Sequence, residues 1–139
     1  MHGGISAEFV IKGLLAQEVN SIVQRDLGKQ KDEFSEKSKF IFGSVGPHWF
    51  RGMVNVGEKR TPVFAKDMPR ILSYFDVDRV IVGHCKYDNV YNYRNQMVVG
   101  IDVNHSENRS EHKARALLMN KNKNGISIVR VNMRASLSR

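Results

Sequence analysis

A single cysteine, Cys85, stands in 139 residues. An internal disulfide is therefore excluded, and so is a zinc finger, which needs more than one thiolate. No apolar run approaches the roughly 20 residues of a membrane-crossing helix, so no membrane span is expected. There is no arginine-rich arm and no RRM-type aromatic motif, so specific nucleic-acid recognition is not expected. The opening Met1-His2-Gly3-Gly4-Ile5 carries neither a basic n-region nor an apolar h-region, and no signal peptide is read there. With no paired cysteines, the expectation is a cytoplasmic protein.

What is present fits a globular chain. Hydrophobic residues make up 41% and charged residues 26%, which excludes wholesale disorder. The length suits one domain or part of a larger one. Twenty-two Lys and Arg against fourteen Asp and Glu give a net charge of +8. Such a chain attracts polyanions without specificity. The cations are dispersed, as Lys37 and Lys39, Lys59 and Arg60, Lys121 and Lys123, Arg134 and Arg139.

Periodicity predicts an α/β fold. Leu14, Leu15, Val19, Ile22, Val23 and Leu27 keep to one face of a 3.6-residue period, with Gly28 as the helix end. Residues 29–39 are charged and read as solvated, while Phe34, Phe40 and Phe42 read as local core. The cluster Gly43-Ser44-Val45-Gly46-Pro47 reads as a loop. A second helical stripe runs Phe64, Met68, Ile71, Leu72, Phe75; a start at an Asp67 cap would leave Pro69 harmless in the first turn, whereas a start at Thr61-Pro62 would have Pro69 kink the helix. Residues 77–82 predict a buried strand ending at Gly83-His84. Two antiparallel hairpins are predicted beyond it. One joins 90–93 to 96–103 through Arg94-Asn95, and the other joins 114–119 to 126–131 through a 120–125 connection containing Asn124-Gly125.

Few residues carry chemistry. His84 leaves a Val/Ile-rich strand through a glycine, where sheet proteins often place functional groups. It reads either as a ligand or catalytic group, or as a strand-end histidine bonded to a carbonyl. His2 precedes two glycines, which allow a backbone to approach a ligand closely. Arg51, in a Gly/Pro-bounded aromatic loop, suits bidentate phosphate binding or stacking on Trp49. Cys85 lacks a second basic partner and does not read as a nucleophile. His105 and His112, with Glu107 and Glu111, read as metal ligands or as solvated surface.

Together these features resemble one family. His2-Gly3-Gly4-Ile5-Ser6 resembles the H-G-G-[IL]-S stretch of calcineurin-like metallophosphoesterases of the phosphoprotein phosphatase type. Residues 46–52, Gly-Pro-His-Trp-Phe-Arg-Gly, resemble the G-P-x-W-[YF]-R-G stretch of their bacterial, Shewanella-like branch. Val80-Ile81-Val82-Gly83-His84 resembles the V-x-V-G-H strand end, and Ile101-Asp102 the later I-D pair. The family's earlier G-D-x-H-G, G-D-x-x-D-R-G and G-N-H-[DE] motifs do not occur here. The resemblance therefore implies the carboxyl-terminal portion of such a domain over 1–132; residues 133–139 carry no pairing signal and read as a frayed tail.

What the resemblance implies is a sandwich of two mixed sheets flanked by helices. It also implies a phosphatase acting on phosphomonoesters, including phosphoserine, phosphothreonine or phosphotyrosine. Two divalent ions (Mn, Fe or Zn) would serve the full domain, His2 and His84 would ligate one of them, and Arg51 would bind phosphate. The implied partners are a phosphorylated substrate and the missing amino-terminal half. Little turnover is expected of this chain alone, together with self-association through sheet faces such as those of Val80 and Val82. Two other functions fit the same residues. One is hydrolysis of dinucleoside polyphosphates or cyclic phosphodiesters. The other is a non-catalytic basic module with a decayed site, relying on Lys37, Lys39, Arg134 and Arg139.

Overall fold

The computed structural model describes residues 3–54, 62–105, 114–123 and 125–133. Helices α1 (Ala7–Ile11), α2 (Ala16–Asp26), α3 (Glu36–Phe42) and α4 (Met68–Phe75) precede strands β1 (Val80–Val82), β2 (Tyr91–Tyr93), β3 (Val98–Gly100), β4 (Ala114–Asn122) and β5 (Gly125–Met133). Short 3-10 turns at Lys31–Glu33 and Ala65–Asp67 lead into α3 and α4. The mixed α/β class read from the sequence is what the chain adopts.

Local signals mark several of the helix ends. The hydroxyl of Ser6 accepts the Phe9 amide at 3.2 Å and caps α1. In α2 the stripe buries Val19 and Ile22, and Gly28 lies just beyond the helix in the left-handed conformation. Pro69 falls in the first turn of α4, where its missing N–H costs nothing, although the Asp67 side chain makes no cap bond. Residues 29–39 are not merely solvated chain. Ser35 caps α3 through the Ser38 amide, and Phe34 stacks on Phe42 with ring centres 4.9 Å apart.

The sheet has strand order β1-β3-β2, with β1 parallel and β2 antiparallel to β3. Only residues 80–82 of the predicted 77–82 strand pair, because the ladder of β3 is three residues long. Val80, Val82 and Val98 share one core with Phe9, Ile41 and Ile71 of the helices. Val99 belongs to a second, smaller core with Val90 and Val103, and Leu117 of β4 packs on it. The second hairpin is tighter than predicted. Its ladder runs to Asn122 opposite Gly125, so the strands extend through the polar residues assigned to a connection.

Burial corrects one expectation. Val80 is 8% exposed and Val82 1%, so the chain's own helices cover the face expected to drive self-association. The exposed apolar surface lies elsewhere. Leu118 and Val129 face each other across β4 and β5, 56% and 52% exposed. The tail beyond Met133 lies outside the described residues, and Met133 itself ends β5.

A charged network joins α2 to α3. The buried Asp26 carboxylate accepts two bonds from Arg25 at 2.8 and 2.7 Å, one from Lys29 at 2.7 Å and one from the Ser38 hydroxyl. The Arg25 bond foremost, then those of Lys29 and Ser38, hold this carboxyl well below the usual carboxylate range. Its stabilising effect is present above the unfolded carboxyl value of about 3.9 and declines as pH falls toward the folded value. Asp26→Asn should therefore unfold at lower urea than the parent at pH 7. The gap between the two should narrow steadily as the pH drops below about 4, as urea titrations over that range would register.

Candidate active site

The first segment is stitched to the loop bearing Arg51. The Gly3 amide donates to the Phe50 carbonyl at 3.0 Å, and the Ser6 hydroxyl donates to the Val45 carbonyl at 2.7 Å. A Cβ on Gly3 would lie 2.6 Å from Arg51 Cα and 2.9 Å from its Cβ and Cγ. Only glycine permits this approach, and the stem of Arg51 therefore crosses the backbone at Gly3. The loop itself turns tightly off α3. A Cβ on Gly46 would sit 2.2 Å from the carbonyls of Phe40 and Ile41. His2 lies outside the described residues.

His84 is carried on a strained turn. The Cys85 amide donates to the Gly83 carbonyl at 2.9 Å, which closes a three-residue turn around His84. The central φ of +69° is the less common, strained hand of such a turn. A non-glycine residue in this region costs energy that surrounding structure must hold in place, and such residues cluster at functional sites. The imidazole is exposed. Alongside, the Ile101 amide donates to the Val82 carbonyl at 2.9 Å, and a Cβ on Gly83 would stand 3.9 Å from that of Asp102. Cys85 is half-buried against the main core, a structural position.

The two loops meet through a tyrosine. Tyr87, three residues after His84, donates its hydroxyl to the Val54 carbonyl at 2.8 Å. The Val54 amide in turn donates to the Arg51 carbonyl at 3.3 Å. The motifs around Gly3, Arg51 and His84 are thus gathered at one end of the sheet. Tyr87 also packs with Tyr91 and Tyr93, at ring separations of 5.4 and 6.0 Å. Burial first, and then the bond to Tyr87, push the Tyr93 phenol up, so it stays neutral. Sequence reasoning did not single out this cluster. Its one visible signal was the alternation Tyr91-Asn92-Tyr93, which puts two rings on one strand face.

Other candidates fall away from this end or outside the description. His105 is exposed, while His112, Glu107 and Glu111 lie outside the described residues. Among the described residues no three His, Cys, Asp or Glu come together as a metal site. Of the cations named for a basic binding surface, Lys37 pairs with Glu18 and Lys39 with Glu36; Arg134 and Arg139 lie outside the described residues. Among the described residues no helix is long and apolar enough to cross a membrane.

No family model matches the chain, and no curated protein matches it. Solved structures do. A cold-active protein tyrosine phosphatase superimposes with a TM-score of 0.72 at 25% identity, over 94% of this chain and 36% of that one. The cold-active protein-tyrosine phosphatase of a psychrophilic Shewanella species, and a point mutant of a cold-active protein tyrosine phosphatase, each give 0.67 at 23% identity, over 96% of this chain and 40% of theirs. The chain has a phosphatase fold. It spans two-fifths or less of the length of these structures.

Two consequences of the local geometry are measurable. Gly3→Ala should lower stability by about 1–3 kcal/mol, because the contact it creates is with backbone and cannot relax by a rotamer change. Denaturant unfolding checks this, and an unchanged midpoint would contradict the close approach. His84→Gly should be about 1–2 kcal/mol more stable than His84→Ala, since both lose the imidazole but only alanine keeps a Cβ in the left-handed conformation. Paired thermal melts decide between them.

Proposed function

We propose that the chain is part of a metal-dependent phosphatase of the calcineurin-like type, hydrolysing phosphomonoesters, with phosphotyrosine among its substrates. The observation that carries this reading is the convergence at one sheet end. There the strained His84 turn is tied through Tyr87 to the turn bearing Arg51, and the stem of Arg51 rests on the glycine that follows His2. The mixed sheet and the hairpin would be parts of a two-sheet sandwich, in keeping with the superposition on tyrosine phosphatases.

The donor chemistry fits part of a metal site. An imidazole at His84, carried on a constrained backbone turn, together with that of His2 as the resemblance implies, would suit Mn, Fe or Zn. Two imidazoles leave further positions to ligands from a segment outside this chain. Bound there, a pair of divalent ions would supply a nucleophilic hydroxide and neutralise charge on the phosphoryl oxygens. The chain's own share is to hold and to aim. Arg51 binds two phosphate oxygens with its planar guanidinium and so orients the ester. The turn of His84 fixes its backbone, so the direction in which its side chain leaves is set before a metal binds. Cys85 contributes packing and not a nucleophile.

The test begins upstream of the Met1 codon, where an in-frame G-D-x-H-G is expected. With manganese and an aryl phosphate, the chain alone should give turnover near background. Joined to that upstream segment, it should turn over, and Arg51→Ala or His84→Ala should each reduce kcat by about a hundredfold or more. Robust turnover by the chain alone that His84→Ala abolishes would overturn the shared-site reading. Turnover by the joined protein that neither substitution affects would overturn the assignment of the site.

A further inference from the structure

We propose that Tyr87 is a positioning residue that sets the phosphate-binding turn of Arg51 against the turn of His84. The proposal rests on the phosphatase reading above and goes beyond it, because Tyr87 belongs to none of the motifs that suggested that reading.

Topology makes the need for such a residue plain. Strand β3 lies between β1 and β2, so the 83–90 connection must cross over the carboxyl end of β3. A crossing loop of this kind has no ladder of its own to fix its height above the sheet. Tyr87 supplies the fixing at the middle of the loop. Its amide donates to the Asp102 carbonyl at 2.9 Å, and its carbonyl accepts the Asn104 amide at 2.8 Å, which forms a parallel bridge to Val103. The backbone of Tyr87 is thereby an extension of the sheet, and its side chain is aimed by it.

That side chain reaches the other loop. Its ring lies near Gly100, where a Cβ would meet Tyr87 Cε2 at 4.0 Å and Tyr93 Cε2 at 3.2 Å. Tyr91 and Tyr93 pack around it, so the ring has little room to swing. The hydroxyl then donates to the Val54 carbonyl at 2.8 Å. Val54 is buried, 5% exposed, and its neighbour Met53 is 1% exposed and lies against Gly4. One hydroxyl therefore links a rigid sheet extension to the end of the Arg51 turn. A phosphoryl group held by Arg51 and approached from His84 depends on the distance between those turns. A misplacement of about 1 Å in such a site can cost about a hundredfold.

The structure contains a matched control. Tyr74 of α4 also donates its hydroxyl to a backbone carbonyl, that of Leu14, at 3.1 Å, and is likewise half-buried. Tyr74→Phe and Tyr87→Phe each remove one hydroxyl and leave the ring. Both should fold and melt a few degrees lower than the parent, Tyr87→Phe by more because it also removes the bond to the Tyr93 phenol. Only Tyr87→Phe should weaken inorganic phosphate, by about tenfold in apparent Kd, in 1H–15N NMR titrations of the full chain followed at Arg51. It alone should also speed hydrogen exchange at the Val54 and Cys85 amides. Equal phosphate affinity in the two variants would overturn the positioning role. If the Arg51 signals of the parent ignore phosphate while Tyr87→Phe still speeds exchange, the phosphate reading has failed and the positioning role falls with it; Tyr87 would then be only a strut between loops.

Discussion

The parallel pairing of β1 with β3 is the constraint on which the site depends. Val82 lies opposite Gly100 in that register, and the Ile101 amide closes onto the Val82 carbonyl. Everything at the carboxyl end follows from it. The chain leaving β1 must pass over β3 to reach β2, so it bends at once, and the bend falls on His84. A relaxed conformation at His84 would carry the chain off in a different direction. The positive φ is thus the local cost of the sheet order, offset by the burial of Val80, Val82 and Val98 beneath the helices.

Much of this was legible in the residues. The apolar stripe placed α2 between Leu14 and Leu27, and Pro69 marked one of two possible starts for α4, because periodicity and a missing N–H act locally. The strand ending at Gly83-His84 was legible for the same reason. What escaped were effects set by distant partners. The strand was shortened from 77–82 to 80–82 by the length of β3, which nothing in the strand itself specifies. The second hairpin ran through Asn120, Lys121 and Asn122 because cross-strand pairing overrode their weak strand preference. Asp26 left a readable trace, an acid at a helix position in line with Val19 and Ile22. Its role needed Ser38, twelve residues on, and that partner was invisible in the spacing.

The candidate site divides in the same way. Arg51 and His84 stood out because glycines frame them. The reason for those glycines became physical only with the structure. Gly3 leaves room for the Arg51 stem, and Gly46 leaves room for the carbonyls at the end of α3. Tyr87 did not stand out, since one tyrosine in a polar connection has no pattern. The expectation of exposed valines on β1 erred because it left the cover of that sheet face to the missing amino-terminal half. Phe9, Ile22, Ile41 and Ile71 are enough.

The position of β3 between two strands that precede it has a consequence for the order of events in folding. As the polypeptide emerges from a ribosome, β1 and β2 are made first, yet each pairs with β3. The ladder therefore closes only once Val98–Gly100 has been synthesised, and the anchorage of Tyr87 waits a little longer for Asp102, Val103 and Asn104. The helical layer of Phe9, Ile41 and Ile71 can gather before that moment, whereas the end of the sheet that carries His84 takes its shape last.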